Sequence, residues 1–576
     1  MKKRRRAPPA RPARAVEPGR PARVARPDHP ARPARPARPA SYVEDGGFEK
    51  PDRRTWREAP YLAPAAPVEE RGVIRKAWTP DRTAYLLVYP NTYSVGMGNL
   101  GVHTIYQLLN GRDDALCERA FVDPLGQGAA TELRGLESGR PAREFDVVAL
   151  SVSFEEDYPH ALEALARAGL PLRAAARAAD ERFPLVIAGG IALTLNPEPM
   201  APFLDAVALG EGEEVAAEMA AVIAAARRDR RPRADLLRAL AAVPGVYVPA
   251  LYEPTYAPPG ADGRPGPLAS FRPADPAAPP RVARRYVRDL AKSTAQTVIY
   301  AKGAEFGEHA LVEVSRGCPW GCRFCASSYA YYPYRTRDAD SSLAAIRAGR
   351  AERSKIGLVG ADVSDHPALP ELARAAAQDG GAYTLSSLRV GAMAPAGGGA
   401  SRLARTVEVE GAPDGVALAP EGGSQRMRHV INKPISEEQI VEAVRRAAAA
   451  GARNVKLYFI VGVETETMED VEAIAHLTAR CREAYAGAAR AHGRLGEVVP
   501  SLSPLVPKPW TPFQWMPMMP VAELKRRIAR VRRLLGPVAN VRVSSGSPAA
   551  AHRQAVFALG DRRVADLLEL MRETGG

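Results

Sequence analysis

At 576 residues the chain is longer than one hydrophobic core organises, so more than one domain is expected. Apolar residues make up 46%, enough for ordinary cores, and no uninterrupted apolar run of about 18 residues offers a membrane span. The net charge of +14 is concentrated at one end, because residues 1–40 hold thirteen Lys or Arg against Glu17 and Asp28 and so account for eleven of the fourteen charges.

That first segment repeats Pro-Ala-Arg and has nothing to bury, so it is expected to be a disordered, basic N-terminal tail. It could touch nucleic acid or acidic partners electrostatically, or be an extension without function. The body is nearly balanced, which removes the strongest compositional argument for a nucleic-acid protein. The basic start lacks an apolar stretch behind it and does not read as a secretory signal, so a cytoplasmic location is expected.

From residue 75 to 250 the pattern alternates strand and helix. Ala84–Tyr89, Phe145–Ser151, Phe183–Gly190 and Leu204–Gly210 read as strands. Helices are expected within Gly98–Leu109, near 158–168 and over 214–226. Nearly continuous apolar strands separated by helices predict a Rossmann-like, doubly wound parallel sheet, which binds ligands at its strand C-termini. Two glycine turns fall there, Gly189-Gly190 and Gly210-Glu211-Gly212-Glu213. Glycine lets a backbone approach a flat ligand closely, and it also simply starts helices. Residues 251–285 are rich in Pro and Gly and read as a linker.

A second alternating region spans 286–530, with strands expected at 309–314, 355–360, 383–390, 415–419, 454–461 and 497–505; residues 531–576 form a C-terminal segment with a helical pattern. After the first of these strands comes Cys318-Pro319-Trp320-Gly321-Cys322-Arg323-Phe324-Cys325, a C-x3-C-x2-C run. Iron–sulfur clusters are held by thiolates, and three of them on one loop leave one iron of a four-iron cubane open. A structural zinc site asks for a fourth ligand, usually through a second cysteine pair, and the other cysteines, Cys117 and Cys481, stand alone.

This run, with its aromatic residue before the last cysteine, resembles the signature of the radical S-adenosylmethionine (radical SAM) superfamily. The resemblance implies a 4Fe-4S cluster on Cys318, Cys322 and Cys325, whose open iron chelates the methionine end of SAM. It also implies reductive cleavage of SAM to a 5'-deoxyadenosyl radical, an electron donor such as flavodoxin or ferredoxin, and a partial (β/α)6 TIM barrel over the six βα units. Phe324 belongs to the signature. Gly360-Ala361-Asp362 stands where the superfamily has a Gly-Gly-Glu-like motif for the SAM amino group, with Asp shortening the reach; Asp362 could equally cap a helix. Pro420–Arg428 is similar to a Glu-x-Gly-Ser-x-Arg segment, implying Glu421 and Ser424 for ribose hydroxyls and Arg426 or Arg428 for the SAM carboxylate.

The order of elements over 75–250, with its glycine turns, resembles the cobalamin-binding domain that precedes many radical SAM domains. Gly189, Gly190, Gly210 and Gly212 are the residues that would meet cobalamin. The D-x-H-x-x-G motif that supplies a cobalt-binding histidine in many such proteins is absent, and His103 lacks its context. Either cobalamin binds without that histidine or the domain has kept the fold and docks substrate instead. Together with Tyr89–Met97 and Ser503–Phe513, these features resemble a family of radical SAM proteins with a cobalamin-binding-like N-terminal domain. A single cysteine in that domain argues against the second cluster of methylthiotransferases. The expected activity is SAM cleavage, with cobalamin-assisted methyl transfer as one form; the alternative from another class is a non-catalytic iron–sulfur scaffold or electron-transfer protein.

Overall fold

The computed structural model describes residues 69–122, 132–293, 295–386, 388–394, 401, 403–404, 406–407, 415–493 and 495–574. The basic tail expected over residues 1–40 lies outside them.

The first sheet has six strands: β1 (Thr83–Tyr89), β2 (Ala115–Phe121), β3 (Val147–Ser151), β4 (Leu185–Gly189), β5 (Ala206–Ala208) and β6 (Val246–Tyr247). Their order is β2-β1-β3-β4-β5-β6, with every pairing parallel except that of β6. Along β1 the side chains alternate between two cores. Tyr85 and Leu87 pack on one face with α1 (Leu100–Asn110) and α3 (Gly212–Arg228), while Leu86 and Val88 pack on the other with α2 (Tyr158–Arg167). Helices on both faces explain why β1, β3 and β4 are almost wholly apolar. The strand order reverses between β1 and β3, which opens a crevice at the strand C-termini.

Strand β2 departs from the sequence reading, which missed it. Its centre carries Glu118 and Arg119, which argue against a buried strand. Arg119 is nevertheless fully enclosed, pairing with Glu70 at 2.7 Å and Glu137 at 2.7 Å. The Pro/Gly-rich stretch expected as a linker also holds regular structure, an antiparallel hairpin of β7 (Tyr252–Tyr256) and β8 (Leu268–Pro273). Its turn is where the prolines and glycines concentrate.

The second region supplies strands β9 (His309–Glu313), β10 (Lys355–Val359), β11 (Ala382–Leu385), β12 (Gly415–Glu421), β13 (Asn454–Val461), β14 (Glu497–Pro504) and β15 (Ser544–Ser545). All pair in parallel, as β9-β10-β11 and β12-β13-β14-β15. A parallel bridge between Leu388 and Leu418 links the two groups. The third strand ends at Leu385, short of the expected Val390, because Val390–Met393 turns helical. Strand β15 is an addition, two residues long and beyond the reach of a periodicity argument.

The C-terminal segment returns to the first sheet. Helices α4 (Pro548–Leu559) and α5 (Val564–Thr574) place Phe557, Ala565 and Leu568 in the core shared by β1, β3, β4 and α2. Arg562 of this segment pairs with Glu198 at 3.0 Å, and Lys508, on the loop after β14, reaches the first region through Glu155 at 2.6 Å. Asn196 also donates to the carbonyls of Ala558 and Gly560. No helix among the described residues is long and apolar enough to cross a membrane.

Candidate active site

The cysteine loop leaves β9 and passes through Ser315–Arg316, which pairs antiparallel with Arg335–Thr336. The loop is therefore the tip of a short ribbon, with an arginine on each side of its neck. Cys318, Cys322 and Cys325 are all partly exposed, whereas Cys117 and Cys481 are buried. Burial pushes the Cys318 thiol up, and burial pushes that of Cys322 up to about 11 against the pull of Lys433. Among the described residues no three His, Cys, Asp or Glu side chains gather closely enough to hold a single metal ion. A cubane does not ask for that, since each thiolate binds a different iron.

Neighbouring segments fix the loop through its backbone. Arg323 N donates to Ile431 O at 3.0 Å, Asn432 Nδ2 to Gly321 O at 2.9 Å, and Phe513 N to Arg323 O at 3.1 Å. Phe324 is half-buried against Met427, Ile431, Ile460, Val463, Leu505 and Phe513. It therefore anchors the loop between the ends of β12, β13 and β14.

Asp362 follows β10 and is fully buried. Its Oδ2 accepts from Trp320 Nε1 at 2.9 Å, while Oδ1 has no hydrogen-bond partner among the described residues. Burial, helped by the charge of Asp365, raises its pKa to about 6. An unpaired carboxylate oxygen beside the cysteine loop suits a ligand ammonium. Asp362 does not cap a helix; the next one, Leu369–Ala377, begins after Ala368.

The Pro420–Arg428 segment divides into a wall and an opening. Arg428 is fully buried and donates to the carbonyls of Gly422, Gly423 and Ile435 and to Gln425 Oε1, at 2.9–3.0 Å. Its guanidinium is used up in holding the glycine turn. Arg426 is partly exposed and pairs with Asp470, which also accepts from Ser424 Oγ at 2.6 Å. Ser424 caps the helix Gln425–Val430 by accepting from Met427 N. Glu421 pairs with Lys433 at 3.3 Å, and Lys433 lies close enough to Cys322 to act on its thiol. Arg426 is thus the freer of the two arginines considered for a ligand carboxylate.

A cavity of about 480 Å³ lies between the two regions. One wall is the C-terminal edge of the first sheet, with Ser151, Gly189, Gly190, Gly210 and Gly212; the other holds Glu313, Gly317, Ser327, Tyr331, Gly360 and Ala361. It extends down the sheet face between α1 and α3, where Ala149, Ala208, Ala216 and Ala220 supply small side chains. Were it closed and empty, a void of this size would cost about 10 kcal/mol, too much for a packing defect. Two of its glycines have causes inside the chain. A Cβ at Gly190 (φ +119°) would sit 2.1 Å from Val152 O, and one at Gly210 (φ +106°) 2.0 Å from Arg285 O. Close approach of a ligand is not needed to explain those two. At Gly189 a Cβ would meet only ordinary contacts, nearest at 3.7 Å, so the chain itself makes no such demand there.

His103 does not border the cavity. It is buried, with Nε2 2.9 Å from Met97 O and Nδ1 accepting from Val298 N and Ile299 N. Burial lowers its pKa to about 4. It is a core histidine with both nitrogens engaged.

Sequence reasoning missed the ionic network at this boundary. Glu211 accepts from Arg316 Nη1 at 2.8 Å, from Arg335 Nη2 at 2.6 Å and from Val287 N at 2.8 Å. Glu213 accepts from Arg316 Nη2 at 2.8 Å and from Ser293 Oγ at 2.9 Å. The repeated acid in Gly210-Glu211-Gly212-Glu213, facing arginines on both sides of the cysteine loop, was the available signal.

The family model of the radical SAM superfamily matches residues 312–478, which contain the cysteine loop, Asp362 and the β12 turn. A second, described as radical SAM proteins, N-terminal, matches residues 101–249. The chain belongs to the radical SAM superfamily, whose cofactors are a 4Fe-4S cluster and SAM. An uncharacterized protein of Methanocaldococcus jannaschii is 27% identical over 435 residues, 74% of this chain and 78% of its own. Among solved structures, the cobalamin-dependent S-adenosylmethionine radical enzyme OxsB aligns at TM-score 0.48 and 13% identity. That alignment covers 69% of this chain and 52% of OxsB, so the chain spans about half the length of that enzyme. Methylornithine synthase PylB aligns at TM-score 0.29 and 14% identity, over 44% of this chain and 72% of its own.

Proposed function

We propose that this chain is a radical SAM enzyme whose N-terminal sheet presents a cobalamin to the SAM site. In this reading the two parallel sheets of the second region act as one partial (β/α)6 barrel, open toward the first sheet. Cys318, Cys322 and Cys325 hold the cluster, which when bound supplies an open iron for the methionine end of SAM and the electron that cleaves it. Asp362 accepts from the SAM ammonium, and Arg426 takes the carboxylate once released from Asp470. Phe324 keeps the loop seated, and the apolar packing around it excludes water from that side. The observation that carries the proposal is one cavity bounded by both regions, by Gly189 and Gly210 on one side and by Gly317 and Gly360 on the other. A cofactor seated there would face the SAM site directly, which suits methyl transfer or another C–H functionalisation.

Two measurements test it. Anaerobically reconstituted, reduced protein is expected to convert SAM to 5'-deoxyadenosine, and Cys322→Ala to abolish this with loss of iron. Absence of product from iron-loaded wild type would refute the enzymatic reading in favour of a scaffold. Incubation with cobalamin is expected to leave its visible absorbance on the protein after desalting. Protein that cleaves SAM yet retains no cobalamin would leave the cavity as a substrate dock.

A further inference from the structure

We propose that Glu211, a residue of the N-terminal sheet region, is a positioning residue for the iron–sulfur loop. The inference rests on Cys318, Cys322 and Cys325 holding a cluster. The loop is the tip of a ribbon whose two strands are only Ser315–Arg316 and Arg335–Thr336. Two residue pairs cannot by themselves fix the direction of a long tip. Their arginines reach across the boundary to one carboxylate instead: Arg316 Nη1 lies 2.8 Å from Glu211 Oε2, and Arg335 Nη2 lies 2.6 Å from Oε1. Glu211 thus fastens both sides of the neck at once, two residues from Cys318 on one of them.

The clamp is itself held. Glu211 is 5% exposed, and Val287 N donates to the same Oε2 at 2.8 Å. Both its neighbours in sequence are glycines, and Gly210 is pressed against the Arg285 carbonyl. Glu213 and Glu313 complete the shell around Arg316 at 2.8 and 2.5 Å. Burial pushes the Glu211 carboxyl up, but the two arginines and the Val287 amide outweigh it and leave its pKa below the usual range. Glu211 also borders the cavity, so the turn that would meet its occupant also grips the cluster loop. This gives the acids of Gly210-Glu211-Gly212-Glu213 a task that ligand contact alone does not.

Glu211→Gln and Glu211→Asp, in the full chain reconstituted with iron and sulfide, test it. Gln removes the charge with little change of shape, and Asp keeps the charge but draws it back by one methylene. Iron per chain, the low-temperature EPR spectrum of the reduced cluster with and without SAM, and the thermal midpoint of the iron-free protein are measured. Both variants are expected to show a changed EPR spectrum or a several-fold fall in iron loading, with the Asp variant keeping a cooperative thermal transition. A purely structural role would move the midpoint alone. Folded variants with wild-type iron and wild-type spectra overturn the proposal. Should Glu211→Gln fail to fold, Glu211→Asp decides by the same two outcomes. Wild-type protein that takes up no cluster would instead refute the underlying reading of the cysteines, and this proposal with it.

Discussion

Asp362→Asn separates a SAM-binding carboxylate from a merely buried one. The substitution is nearly isosteric, and its side-chain oxygen can still accept from Trp320 Nε1, so the loop should stay in place. What is lost is the charge at Oδ1, which has no hydrogen-bond partner among the described residues. A hydrogen bond to a charged group contributes about 1.5–3 kcal/mol, so the dissociation constant for SAM should rise by roughly 10- to 150-fold at pH 8. The pH profile gives a second and sharper readout. Burial and Asp365 raise the Asp362 pKa to about 6, above its ordinary range. The ligand ammonium favours the ionised form, so affinity is fully present above about pH 7 and is lost as pH falls through 6. At pH 5 only about one carboxylate in ten is ionised, and wild-type affinity should be about tenfold weaker than its plateau. The Asn variant should show no such fall. Equilibrium dialysis of labelled SAM under anaerobic conditions, on protein matched for iron content, measures both. Equal affinity of the two proteins at pH 8, or a flat wild-type profile, would falsify the assignment.

Four further substitutions test the supports of the site. Phe557→Ala removes a fully buried ring from the core that the C-terminal return shares with the first sheet, and should cost about 3–5 kcal/mol by urea denaturation. A loss under 1 kcal/mol would mean that α4 merely rests on the surface. Lys508→Met leaves Glu155, itself 3% exposed, without its countercharge and with the neutral donor Gln554 on its other oxygen, and should cost about 3–5 kcal/mol. Adding Glu155→Gln should recover much of that loss, and the absence of recovery in a double-mutant cycle would rule out a buried pair. Arg428→Met leaves three backbone carbonyls without their donor and should cost at least about 3 kcal/mol in thermal or chemical unfolding. Arg426→Ala, with its partly exposed partner bond, should cost under about 1 kcal/mol while raising the dissociation constant for SAM. The reverse pattern would exchange the roles of the two arginines.

The fold was legible where strands are apolar and long. Residues 147–151 and 185–189 declare themselves because parallel strands covered on both faces need no polar alternation. Strand β2 was hidden because Arg119 is neutralised by Glu70 and Glu137 and Glu118 is satisfied by the hydrogen-bond donors Trp78 and Ser138, none of them near in sequence. The hairpin over 252–273 was hidden by composition, since prolines and glycines in its turn outweigh a faint strand pattern on either side. The return of α4 and α5 to the first sheet leaves no local mark at all. Helical periodicity says that Phe557 and Leu568 face a core, and only the three-dimensional structure says which one.

The site was legible where chemistry constrains residue type, and obscure where geometry does. Three cysteines at fixed spacing point to the superfamily whose model matches the region around them. A carboxylate after β10 suggests a ligand, and its unpaired oxygen supports that. Arginines carry no such mark: Arg426 and Arg428 lie two apart on one turn, yet one is exposed and paired with Asp470 while the other is buried on backbone carbonyls. The glycine turns show the same ambiguity in backbone form. Gly190 and Gly210 looked like surfaces for a flat ligand, but their conformation and the carbonyls of Val152 and Arg285 already require glycine. The informative residues in the second turn are therefore its acids. Seen from sequence, Glu211 and Glu213 are two charges between glycines. In the folded chain they pair with Arg316 and Arg335 at the neck of the cysteine loop, a contact between the two regions that no local pattern announces.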